Sequence, residues 1–217
     1  KIGPGAEKFA FHIKGQELPM HEPRLKQGMG VGYSISPTGA DHCHNIHDTV
    51  YTDMTPSLKM LEGIGILEPM PADDLSPAKV RLVKYYSEFI HLLNCAVCCY
   101  FVMSLSLVGF DRLTQLLRAA TGWDATFFEM LKVGERAVNL ARVFNTREGF
   151  TAKDDTMPQR FFAPHPSGPL KVALDQKAFQ QAIETYYDMM GWPNGVPSSG
   201  KLAELGIEWT IPLMRKK

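Results

Sequence analysis

Thiols and imidazoles are the residues here with the widest chemical reach, and they fall in two clusters. Cys95, Cys98 and Cys99, three of the four cysteines, lie in Leu92-Leu93-Asn94-Cys95-Ala96-Val97-Cys98-Cys99-Tyr100-Phe101, within a long apolar run. A thiolate ligates soft metals and iron–sulfur clusters and is also a nucleophile. A free cysteine is equally at home as a small core hydrophobe, which is the reading kept for Cys95. The second cluster is Gly39-Ala40-Asp41-His42-Cys43-His44-Asn45-Ile46-His47-Asp48. Its histidines and cysteine suit a metal site or proton transfer near neutral pH, with a polar surface loop as the plain alternative. A zinc set would need His42 and His44 to be completed by the distant Cys95 and Cys98, unlike the two clean pairs that zinc sites usually show.

Composition narrows the class. The chain has 217 residues, 45% hydrophobic and 21% charged, with 23 Lys+Arg against 23 Asp+Glu. A net charge of zero carries no nucleic-acid footprint, and the terminal Arg215-Lys216-Lys217 is a short solvated tail. Four cysteines at this length do not make a disulfide scaffold and fit a reducing compartment, so a cytoplasmic protein is expected. No secretory leader is visible, and a first residue of Lys rather than Met reads as a fragment. The apolar run over residues 89–110 is interrupted by His91, Asn94, Ser104, Ser106 and Gly109, so it is expected as a buried helix and not a membrane span.

The elements that must position these clusters are helical. Residues 1–75 are rich in glycine and proline and read as a loop-rich, cofactor-facing segment, with at most a short helix over 23–33. Residues 76–217 read as the helical core. Ser76-Pro77 is an N-cap followed by proline, opening a helix over 77–93 or further. Val80, Val83, Tyr86, Ile90, Leu93 and Val97 recur along one face. If that helix ran on through the cysteines, Cys95 and Cys99 would share a face and Cys98 would turn away. Further helices are expected over 111–121, ended by Gly122; after Asp124 to about residue 145; over 175–190, stopped by Gly191; and over 199–205. The helix to 145 carries a seam of Phe127, Leu131, Gly134, Val138 and Ala141, in which Gly134 permits close approach. Glu129, Arg136 and Arg142 fall off that seam and are expected to be solvated or paired. Strand patterns are scarce, so the fold class is all-α: one multihelical domain over 1–217 with long functional loops.

Four blocks, in order, resemble the C-terminal part of the tungsten-containing aldehyde ferredoxin oxidoreductase family. Lys14-Gly15-Gln16-Glu17-Leu18-Pro19-Met20-His21-Glu22-Pro23-Arg24 is similar to its KGxExPxHDPR, and Gly39-Ala40-Asp41-His42 to its GA(C/D)H. Asn94-Cys95-Ala96-Val97-Cys98-Cys99-Tyr100-Phe101 is similar to its DSxxLCxF. Gly134-Glu135-Arg136, Asn139, Arg142, Phe144 and Asn145, followed by Asp154-Asp155-Thr156-Met157-Pro158-Gln159-Arg160-Phe161, are similar to GERxxNxxRxFN…DDxLPxRF.

The resemblance implies one part of a larger oxidoreductase, inactive alone, that turns aldehydes into carboxylic acids. It implies a tungsten or molybdenum bis-pyranopterin and a 4Fe-4S cluster, both shared with N-terminal domains of the same enzyme, and electron transfer to ferredoxin. It makes Cys99 the fourth cluster ligand and His42 the proton carrier beside the metal. The pterin-contacting positions become Thr38, His44, Asn94 and Cys98. These four depart from the family's residues: Asn94 stands for Asp, Cys98 for Leu, Thr38 for Arg and His44 for Arg or Lys. A relative with different chemistry, of the benzoyl-CoA reductase kind, is therefore one alternative. A helical zinc or thiol-redox module and a plain interaction domain are the others. No nucleic-acid or membrane partner is expected, and assembly with further copies is left open. Cys43 has no assigned role, and His12, His21 and His165 are read as structural or exposed.

Overall fold

Cap residues already legible in the chain decide where its helices begin. The computed structural model describes residues 3–101, 109–165 and 171–214. Its α-helices are α1 (Gln27–Ile35), α2 (Pro56–Lys59), α3 (Pro77–Cys95), α4 (Phe110–Thr121), α5 (Phe127–Arg147), α6 (Gln176–Met190) and α7 (Ser199–Glu204). Ser76 accepts from the Lys79 amide at the start of α3, and Asp175 does the same for Ala178 at α6. Thr126 and Glu129 form a reciprocal capping box on α5. Gly122 and Gly191, both in the left-handed region, end α4 and α6.

Helix α3 is the axis of the fold and packs against α5, α6 and α1. Val80, Val83, Phe89 and Ile90 from α3 meet Val138, Phe179, Ile183, Tyr186 and Trp192 in the main core. Each such buried side chain is worth about 1.5–3 kcal/mol. At Gly134 a Cβ would lie 1.8 Å from the Glu88 carbonyl oxygen, so α3 and α5 cross with their backbones nearly touching. A smaller cluster of Val143, Leu202, Leu205 and Ile207 seats α7 on the far end of α5.

The N-terminal third holds little regular structure, yet it is tied down at buried polar points. A two-residue hairpin pairs β1 (His12–Ile13) with β2 (Gln16–Glu17), His12 opposite Glu17. Lys14 and Gly15 turn it at φ 52° and 86°. The Lys14 ammonium reaches inward to Asp155, 2.7 Å away, and to the Ser34 carbonyl. Burial pulls the Lys14 pKa down, with Asp155 opposing the shift. Arg142 Nη1 lies 2.7 Å from Asp155 Oδ2, and the Tyr187 hydroxyl donates to the same oxygen. Asp48, fully buried, accepts from the Gly28 and Met29 amides at 3.1 and 2.9 Å and sits 2.7 Å from Lys79 Nζ.

Several expectations change. Helix α3 stops at Cys95, because Val97 adopts φ 54° and turns the chain, so Cys98 and Cys99 lie beyond the helix. Val97 is 94% exposed and belongs to no core face. Cys95 is exposed, not a core filler. The continuous helix over 89–110 is interrupted there, and residues 102–108 lie outside the described ones. The weak helix over 23–33 is a buried helix at Gln27–Ile35. Arg142 is paired as expected but almost fully buried. Among the described residues no helix is long and apolar enough to cross a membrane.

Candidate functional site

Glycine spacing on α1 lets the histidine loop lie against it. A Cβ at Gly28 would fall 2.5 Å from Asp48 Oδ1, and one at Gly32 1.8 Å from Asn45 Oδ1. The two glycines are four apart and share a helix face. Asp41 starts the His42–His44 turn by accepting from the Cys43 amide at 2.8 Å, and Asn45 Nδ2 donates to the Asp41 carbonyl at 2.7 Å. The loop is thereby held between α1 and the last turns of α3, where the His44 and His91 rings lie 5.3 Å apart at a tilt of 35°.

Three imidazoles gather at this junction. Ring centroids of His21 and His47 are 4.6 Å apart, His21 and His42 4.9 Å, and His42 and His47 5.9 Å. They line a cavity of about 350 Å³ together with Tyr51, Tyr86 and Tyr100, while Val50, Met60 and Phe101 supply apolar wall. The Tyr86 hydroxyl shares hydrogen bonds with those of Tyr51 and Tyr100, and burial raises the pKa of all three phenols. Lys26 Nζ sits behind the rings, 3.4 Å from His21 Nδ1 and 3.2 Å from His47 Nδ1.

Burial, then the charge of Lys26, then His21 and His42, push the His47 pKa down to about 4. His21 is lowered by burial, Lys26 and His42 in that order. His42 Nε2 lies 3.6 Å from Cys43 Sγ. Burial, Asp41 and Cys99 raise the Cys43 pKa, which keeps that sulfur a thiol and places Cys99 within its electrostatic reach.

The residues singled out from sequence occupy the same region with different exposure. His42 is half-buried and lines the cavity. His44 Nδ1 is 3.3 Å from Asp41 Oδ2 without hydrogen-bond geometry. Thr38 is exposed, its hydroxyl 3.3 Å from that of Ser36. Asn94 is exposed in the last turn of α3. Cys98 is half-buried against the core, its amide donating to the Leu93 carbonyl at 2.8 Å, and Cys99 is exposed. The supposed zinc set is not brought together: among the described residues the donors within 4.8 Å of one another are Asp41, His42 and Cys43.

Sequence reasoning set His21 aside as structural or exposed, and it lines the cavity; Lys26 and the three tyrosines were not singled out as site residues. Only the clustering of His21 and Lys26 around the first motif block could have pointed there. For a cofactor, an exposed thiol on an open face fits cluster ligation. Thr38, His44 and Asn94 can hydrogen-bond a pterin, though none brings a fixed positive charge.

Imidazole and phenol groups thus line one cavity of a largely helical domain, with thiols close by in sequence. A family model described as aldehyde ferredoxin oxidoreductase, domains 2 & 3, matches residues 1–207, and the chain belongs to that oxidoreductase family. It is 32% identical over 206 residues to the tungsten-containing aldehyde ferredoxin oxidoreductase of Pyrococcus furiosus, covering 94% of this chain and 32% of that protein. The protein of the same name from Pyrococcus horikoshii is 33% identical over 207 residues, with the same coverage of 94% and 32%. An aliphatic sulfonate oxidoreductase, WOR-like subunit, of Pyrococcus furiosus is 28% identical over 216 residues, covering 94% of this chain and 29% of that protein. The chain therefore spans about a third of the length of these curated relatives.

Proposed function

We propose that this chain is the helical, cofactor-facing part of a tungsten enzyme that oxidises an aldehyde to a carboxylic acid. One aldehyde and one water give one carboxylic acid, two protons and two electrons. A tungsten (or molybdenum) bis-pyranopterin, held jointly with the enzyme's other domains, supplies the two-electron chemistry when bound. His42 carries a proton between cavity and solvent, as a half-buried imidazole can near neutral pH. Cys99 would hold one iron of a 4Fe-4S cluster, which when bound would supply electron transfer towards ferredoxin. Thr38, His44, Asn94 and Cys98 face the pterin. The protein works in the cytoplasm, and this part alone is inactive.

The observation that carries the reading is a single junction: His42 and Tyr100, the residue next to the exposed Cys99, line one cavity. A second reading keeps the scaffold and changes the substrate, as in a benzoyl-CoA reductase-like relative. It is favoured by Thr38, His44 and Asn94, which replace charged residues of the family motifs.

The test uses the full-length enzyme. Cys99→Ala loses cluster absorbance and about one cluster's worth of iron, whereas unchanged iron content defeats that assignment. His42→Ala keeps tungsten and iron but loses turnover by about 10²–10⁴-fold, the range of a lost acid–base group; full activity removes its role.

A further inference from the structure

The Lys26 side chain meets two imidazoles at once, and this has a chemical consequence. Its Nζ approaches the Nδ1 atoms of both His21 and His47, at 3.4 and 3.2 Å. An ammonium has three donors and no acceptor. With Lys26 protonated, both Nδ1 atoms accept, and in each neutral ring the proton sits on Nε2. Lys26 is not among the cavity's lining residues, whereas both imidazoles are. With their Nδ1 edges turned to Lys26, the rings have their opposite edges left for the cavity. No hydrogen bond to either Nε2 is formed among the described residues.

We propose that Lys26 is a positioning residue that locks His21 and His47 as Nε2–H tautomers, making the cavity a receptor for the oxygen of an apolar monocarboxylate and of its parent aldehyde. The two rings stand 4.6 Å apart at 89°, and each keeps an Nε2–H to donate to a carboxylate or a polarised carbonyl oxygen. The Lys26 charge behind them adds attraction for an anion. The rest of the wall sorts the organic part. Val50, Met60, Phe101 and the tyrosine rings favour an apolar body, and about 350 Å³ suits a single ring with a short chain. This deepens the function proposed above and rests on the cavity being that enzyme's substrate site.

The test reads the tautomers and not turnover. The full-length protein is labelled with ¹⁵N-histidine, its resonances are assigned through His21→Gln and His47→Gln, and solid-state ¹⁵N spectra are recorded with and without benzoate. Wild-type protein shows bare Nδ1 and protonated Nε2 at both rings, and benzoate shifts both Nε2 signals. Lys26→Met populates the Nδ1–H form and weakens benzoate by about tenfold, the loss of roughly one net hydrogen bond. Lys26→Arg, also a donor-only cation, restores the wild-type tautomers. An Nδ1–H tautomer at either ring in the wild type overturns the proposal without any variant having to fold, and so does undiminished benzoate binding by Lys26→Met. If tautomers and benzoate behave as described while the metal-loaded enzyme oxidises no aldehyde, the proposed function fails and the tautomer lock stands.

Discussion

His47 is the side chain whose chemistry this fold alters most. In the unfolded chain its imidazole titrates near its ordinary 6.5; in the fold, burial and three positively charged or titratable neighbours hold it at about 4. The unfolded state therefore takes up the proton first, so the His47 contribution is intact at neutral pH and is lost as pH falls from about 6.5 towards 4. Urea midpoints at pH 7 and pH 4.5 check this. Wild type loses more stability on acidification than His47→Gln, and equal losses refute it. At this scale the motif order pointed to the His42 loop, and His42 does line the cavity. The sequence said nothing of Lys26, whose partners lie five residues before it and 21 after it and meet only when α1 docks on the loop.

Helices were legible where their own ends announce them. Ser76-Pro77, Gly122 and Gly191 mark boundaries that the fold keeps within two residues. Helix α1 read as weak for a physical reason: its first residue before the helix, Lys26, makes no side-chain cap. The capping carboxylate, Asp48, comes from 20 residues away, which no local pattern reveals. The stop of α3 at Cys95 was equally hidden, because it rests on Val97 in a backbone region that β-branched residues seldom occupy. The seam on α5 was readable, and Gly134 is its decisive member. Gly134→Ala forces the α3 and α5 backbones apart and costs about 1–3 kcal/mol, read as a lowered urea midpoint with an unchanged slope. A variant as stable as wild type shows that the crossing has slack.

Over the whole molecule, polar ties join the loop-rich N-terminal third to the rest of the fold, among them Lys14 with Asp155, the Pro37 carbonyl with Asn145 Nδ2 at 2.9 Å, Arg24 with the Arg160 carbonyl at 3.4 Å, and Asp48 with Lys79. The strongest structural demand falls on Asp48, which serves an ammonium and two amides at once. Asp48→Ala strands the Lys79 charge in the core and costs about 3–5 kcal/mol; adding Lys79→Met recovers part of that loss. Denaturant titration of the two variants checks it, and a double variant no better than the single shows that the amide contacts dominate.

Because Asp48 clamps the histidine loop to two helices, that side of the cavity wall is set before anything enters. A guest does not have to organise its own receptor, so little binding energy is spent on ordering.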